Sequence, residues 1–191
     1  MARTKKDQIS QGALQAFAAN GYSETSMDAI ADIAQVAKGT LYYHFKTKEE
    51  LFVYVNRKGV EKLIAAATEA MKDTSRPLQE RLLHLMDEHL RFFDNERELC
   101  LLLLNISSGD RERDELVRSI LADYFGTMEA YFRKLQDEGM LNPKLDAQTL
   151  TSALFGMIGF TALRRLFLGE PLYTDETRST LIALCKGALG L

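Results

Sequence analysis

Eight consecutive residues, Lys38-Gly39-Thr40-Leu41-Tyr42-Tyr43-His44-Phe45, hold the densest run of chemically useful side chains in this sequence. On a helix, Leu41 and Phe45 fall one turn apart and can anchor it from behind. That leaves Lys38, Gly39, Thr40, Tyr42, Tyr43 and His44 on the outer surface. A helix that enters the major groove of duplex DNA needs small and hydrogen-bonding residues there, because base edges display donors and acceptors. Gly39 disfavours a helix by about 1 kcal/mol relative to Ala, which makes sense where another backbone or DNA must come close. Singly, each residue has an ordinary reading: Tyr42 and Tyr43 as half-buried aromatics, His44 as a surface histidine, Lys46 and Lys48 as solvated lysines. Their shared register is what points to DNA.

Other candidate chemistry is thinner. His84, Asp87, Glu88 and His89 cluster, but the two histidines are five apart, about 140° around a helix, and share no face. No metal site and no cofactor is expected. The chain has no G-x-S-x-G, no Walker loop and no histidine–cysteine constellation, so an enzyme is not expected. Cys100 and Cys185 sit among aliphatic residues and read as small core hydrophobes; their spacing leaves a disulfide undecided.

The elements that must position these residues are helical. The chain has 191 residues, 46% apolar and 27% charged, with three prolines, and it is rich in Leu, Ala, Glu, Lys, Arg and Met. Periodicity predicts helices over about 6–20, 27–34, 38–45, 48–71, 77–95, 98–106, 111–138, 147–168 and 175–188. Gly21 is a stop, Ser26 and Asp146 are N-caps, and Thr47 with Glu50 is a capping box. Pro77 suits a first turn. This gives an all-α fold of about nine helices and no strand.

Charge is divided. Residues 1–48 carry a net +2 and the remainder −5, recovering the overall −3. The asymmetry is mild; Arg3, Lys5 and Lys6 form a basic tip. Met1 leads into these basic residues without an apolar stretch, and the uncharged run from Ala147 to Leu163 falls short of about 20 apolar residues. A soluble cytoplasmic protein with no membrane partner is expected.

Two short helices after a packed first helix make a helix-turn-helix. Residues 25–51, TSMDAIADIAQVAKGTLYYHFKTKEEL, resemble the DNA-binding segment of the TetR family of repressors. The resemblance is close over about residues 3–62 and rests on helix number and length beyond. Gln35 stands where the family usually has a glycine, and Ala37 where a serine often caps the recognition helix.

The resemblance implies a DNA-binding domain at 3–62, with its helix-turn-helix at about 26–45, and a ligand-binding and dimerisation domain at 63–191. It implies base contacts from Lys38, Gly39 and Thr40 and groove or backbone contact from Tyr42. Tyr43, His44, Thr25 or Ser26, Lys46 and Lys48 would meet phosphates. It implies a homodimer on pseudo-palindromic duplex DNA, through Ala153, Leu154, Gly156, Ile158, Gly159 and Ala162; the alternative is that their helix is only a core helix. It also implies a small, largely apolar effector, with His89, Phe92, Phe93, Asn105, Tyr124, Phe125, Met128 and Phe155 as candidate lining, each equally readable as core. A helical-bundle enzyme and a helical adaptor are the rival functions. A titratable pair in a pocket would favour the first, and a recognition helix without a basic face the second.

Overall fold

A computed structural model describes residues 4–104 and 111–189. Among them are nine helices: α1 (Lys5–Asn20), α2 (Met27–Ile33), α3 (Lys38–His44), α4 (Lys48–Lys72), α5 (Leu78–Asn95), α6 (Arg97–Leu104), α7 (Arg111–Asp137), α8 (Ala147–Leu168) and α9 (Asp175–Leu189). No strand occurs among the described residues. Met1, Arg3, Asn105 and the end of the helix expected over 98–106 lie outside them.

Local chemistry sets most boundaries. Thr4 and Asp7 form a reciprocal capping box that starts α1 one residue earlier than expected. Ser26 accepts from the Ala29 N–H at 3.1 Å and starts α2. Thr47 accepts from the Glu50 N–H at 3.0 Å. The Glu50 carboxylate, however, accepts from Lys46 N at 2.7 Å rather than from the cap residue, so the expected box is half formed. Asp146 caps α8 through the Thr149 N–H at 3.0 Å.

The helices make a small head, α1 to α3, on a larger body. Phe17, Tyr22 and Phe52 join them in an aromatic cluster, with centroids 4.8 to 5.8 Å apart. Because Phe52 belongs to α4, that cluster fixes the head to the start of the long helix. Farther along α4, Gly59 meets α6: a Cβ there would fall 2.1 Å from Leu99 Cδ2. The same helix therefore touches both head and body.

α8 has the length and, marginally, the hydropathy to cross a bilayer, which corrects the expectation that this run falls short. It packs against α5, α6, α7 and α9, and its buried residues include Phe155, Ile158, Gly159 and Ala162. One face of α8 thus packs into the core while the other, with Phe160 and Phe167, stays open.

Candidate nucleic-acid interface and effector cavity

The turn before α3 is tight because Gln35 takes φ +53, the one positive value for a non-glycine among the described residues. An L-residue in that region is strained, which explains why a glycine would suit the position. Val36 N then donates to Ala31 O at 3.0 Å and closes the turn. Ala37 starts α3 without a side-chain hydrogen bond, the consequence of lacking a hydroxyl there.

α3 is held from below and open above. Leu41 and Phe45 are 0% and 1% exposed, whereas Tyr42 and Tyr43 are 44% and 78% exposed. A Cβ at Gly39 would meet nothing within 4 Å. No packing within the chain demands glycine there. Tyr43 and His44 stack edge to face at 5.1 Å.

The cations around α3 are already partly engaged. Lys38 Nζ lies 2.5 Å from Asp28 Oδ2, both side chains more than half exposed, and that bond raises the lysine pKa. Lys46 Nζ donates to Tyr42 O at 2.9 Å. Lys48 Nζ donates to Tyr22 O and Ser23 O at 2.8 and 3.1 Å and sits over the Tyr22 ring at 4.5 Å. This lysine therefore ties α4 to the turn that follows α1 and retains one N–H for an outside acceptor. Thr25 is 2% exposed. Its hydroxyl faces Gly21 O at 2.6 Å and Ala16 O at 3.2 Å, an inward role in place of the expected phosphate contact. Ser26 is exposed and caps α2.

The candidate effector residues gather in the body, but they are closed together. His89 is 3% exposed. Its Nδ1 faces Leu85 O at 2.8 Å, and a carbonyl only accepts, so Nδ1 carries the proton. Nε2 then accepts from the Tyr124 hydroxyl at 2.7 Å. Burial disfavours the charged ring and lowers its pKa to about 4, against the bond to Leu85 O, which acts to raise it. Phe93, Tyr124, Phe125 and Phe155 stack around one another with centroids 5.1 to 5.9 Å apart; Phe92 packs on Phe93 at 5.5 Å. The cavity beside His89, Tyr124 and Met128 is about 20 Å³, room for about one water. Asn105 lies outside the described residues.

Two larger clefts flank this core. One of about 440 Å³ lies between α6, α7 and α8 and takes in Phe125, Phe155 and Arg118. The other, about 410 Å³, lies between α4, α5 and α7 around Arg81 and Tyr131. Nothing in the periodicity singled out Arg81, because it sits among leucines as an ordinary charged helix residue.

The candidate interface residues on α8 split between two faces. Ile158 and Ala162 are 2% and 0% exposed, and a Cβ at Gly159 would approach Leu104 Cδ2 to 3.0 Å. These three pack inside the same chain, a correction to their reading as partner contacts. Ala153, Leu154 and Gly156 are exposed or half-buried. Phe160 and Phe167, at 68% and 70% exposed, continue the outward face. On α9, Leu184 is 56% exposed.

Among the described residues no group of three His, Cys, Asp or Glu could hold a metal. Cys100 and Cys185 are both free and buried, and burial pushes their thiols up to about 12 and about 11.

Comparison with known proteins agrees with this geometry. Residues 9–55 match the family described as "Bacterial regulatory proteins, tetR family". The fatty acid metabolism regulator protein of Bacillus subtilis (strain 168) is 25% identical over 190 residues, covering 99% of this chain and 94% of that protein. The fold superimposes on the fatty acid degradation regulator FadR from Bacillus halodurans with a TM-score of 0.83 at 21% identity, covering 99% and 98% of the two chains. For FadR from Bacillus subtilis in complex with stearoyl-CoA the TM-score is 0.75 at 24% identity, covering 96% and 95%. With its helix-turn-helix head on an all-helical body, the chain is similar to the bacterial regulatory proteins of the tetR family, and the match to that family's model is confined to the head, residues 9–55.

Proposed function

We propose that the protein is a ligand-responsive repressor that binds a pseudo-palindromic operator as a homodimer and is released by a fatty-acyl effector. The observation that carries the DNA-binding part is α3, with Leu41 and Phe45 buried and Tyr42 and Tyr43 open. Lys38, Gly39 and Thr40 enter the major groove, where the Lys38 ammonium exchanges Asp28 for a guanine edge. Tyr43, His44, Ser26, Lys46 and the remaining N–H of Lys48 meet phosphates and fix the register.

Dimerisation follows from the need to bury α8 and α9. Phe160, Phe167, Leu168 and Leu184 are each more than half exposed, an apolar surface of the kind that marks an interaction site. Two heads joined this way address half-sites about 34–36 Å apart or multiples of that spacing.

The effector class is supported by the kinship with regulators of fatty acid metabolism, one of them bound to stearoyl-CoA. It is also supported by an aromatic and aliphatic body. The closed cavity beside His89 means that an acyl chain binds by parting the Phe93–Tyr124–Phe155 cluster or by using a flanking cleft. Either displacement acts on α4, which also meets the head, and changes the spacing of the two recognition helices.

Coupling of this kind is reciprocal. Dodecanoyl-CoA titrated into the protein, free and saturated with operator, tests it. The expected result is a loss of effector affinity on DNA equal in factor to the loss of DNA affinity with effector. Equal effector affinity in both states, with DNA affinity unchanged at saturating effector, would overturn the mechanism.

A further inference from the structure

The cleft between α4, α5 and α7 contains a cation without a matching acid. Arg81 is 4% exposed. Its Nε and Nη2 donate to Met71 O at 3.2 and 2.8 Å, and Nη2 also donates to the Tyr131 hydroxyl at 2.5 Å. Among the described residues it forms no ion pair and Nη1 has no hydrogen-bond partner. Nor is Nη1 sealed from solvent, since among the described residues the one sealed side-chain atom without a partner is Asn56 Oδ1.

Met71 belongs to the last turn of α4, whose dipole supplies about half a negative charge. That offsets the guanidinium only in part. At the rim Lys72 pairs with Glu69 at 3.4 Å and Lys134 with Glu138 at 3.7 Å, so among the described lining cations Arg81 is the one with no carboxylate partner. Tyr131 adds an O–H that accepts from Arg81 and is left with its own proton to donate. The rest of the wall combines three threonines, Thr68, Thr74 and Thr127, with an apolar strip of Ala67, Met71, Met128 and Leu135. Met128 also lines the small cavity beside His89, and a flexible thioether at a shared wall yields more readily than a branched side chain.

We propose that this cleft binds an amphiphile with an anionic head, its charge on Arg81 and Tyr131 and its chain along Met71, Met128 and Leu135. The assignment rests on the effector reading above and says where the head group sits. An anion there competes with the Met71 carbonyl for Arg81, which loosens the end of the helix that reaches the DNA-binding head.

The head can be a free carboxylate or the phosphates of a thioester conjugate, and calorimetry with dodecanoate and dodecanoyl-CoA separates them. Dodecanol supplies the same chain without charge. Arg81→Met is expected to weaken whichever anion binds by about ten- to a hundredfold and to leave dodecanol within a few-fold. Because Arg81 is buried, Ala130→Trp, at an exposed position on the cleft wall, gives a second variant, expected to block every ligand without disturbing the core. Wild-type affinity in both variants, with effector still releasing DNA, would overturn the site and leave the effector reading intact. No amphiphile binding to protein that still grips its operator would overturn both.

Discussion

Replacing Gly59 with alanine tests whether α6 bears directly on α4. A Cβ at that position falls 2.1 Å from Leu99 Cδ2, 3.0 Å from Cδ1 and 3.1 Å from Cγ. Carbon atoms sit comfortably at about 3.5–4.0 Å, so Leu99 must withdraw by more than about 1 Å. It is 2% exposed, and the space beside it is the cleft of about 240 Å³ that it lines together with Gly59. Overpacking of this kind costs about 1–3 kcal/mol, while the better helix propensity of alanine returns about 0.8–1.0 kcal/mol. The net expectation is a loss of about 0–2 kcal/mol by the same magnitudes. Gly126→Ala is the control, because Gly126 is exposed within α7 and meets nothing within 4 Å; it should gain up to about 1 kcal/mol.

Urea denaturation followed by circular dichroism reads both, together with Leu99→Ala and the double variant. Leu99→Ala alone opens a cavity and should cost about 2–5 kcal/mol. In the double variant the new methyl occupies part of that space, so the two changes should compensate by at least about 1 kcal/mol. If Gly59→Ala stabilises as much as Gly126→Ala, and the double variant is additive within about 0.5 kcal/mol, the α4–α6 contact is not as described.

Three further outcomes follow from particular residues. The His89 imidazole titrates near about 4 when folded and near about 6.5 when unfolded, so between these values the unfolded chain binds more protons. Stability should therefore fall by about 2 kcal/mol from pH 7.5 to 5.0 through this group and level off below pH about 4, a slope that His89→Leu removes in denaturation at the two pH values. Gln35→Gly relieves a left-handed backbone and should raise stability by about 1 kcal/mol, seen as a melting point higher by about 2–4 °C; an unchanged or lower melting point contradicts the strain. Thr25→Val loses an inward hydrogen bond and should cost about 1 kcal/mol while leaving the salt dependence of DNA binding unaltered; a flatter salt slope would make Thr25 a phosphate contact after all.

Helices were legible because their signals are local. Apolar spacing of three and four and the hydroxyl or carboxylate caps at Ser26, Thr47 and Asp146 act within about one turn, and the structure uses all three caps. The strain at Gln35 and the missing cap at Ala37 were legible only through the resemblance, which puts a glycine and a serine at those positions. What stayed hidden depends on rotamers and distant partners. Thr25 and Lys48 are polar and lie beside the motif, yet their side chains turn to the carbonyls of residues 16, 21, 22 and 23. Nothing in the spacing of small residues on α8 distinguishes Gly159, which faces Leu104, from Gly156, which meets nothing within 4 Å. Aromatic content marked the body as able to hold a ligand but not whether the rings stand apart. Arg81 has no local signature, because its meaning comes from the end of α4 ten residues earlier and Tyr131 fifty residues later.

The most direct test of the central claim is fluorescence anisotropy of the protein on duplex DNA from upstream of its own gene, across a salt series, with Lys38→Ala alongside. The account predicts sequence-selective binding whose logarithm falls linearly with log salt, and a Lys38→Ala variant that keeps salt-dependent binding but loses preference over a scrambled duplex. Weak binding indifferent to sequence at every salt concentration, with and without effector and unchanged by Lys38→Ala, would contradict it.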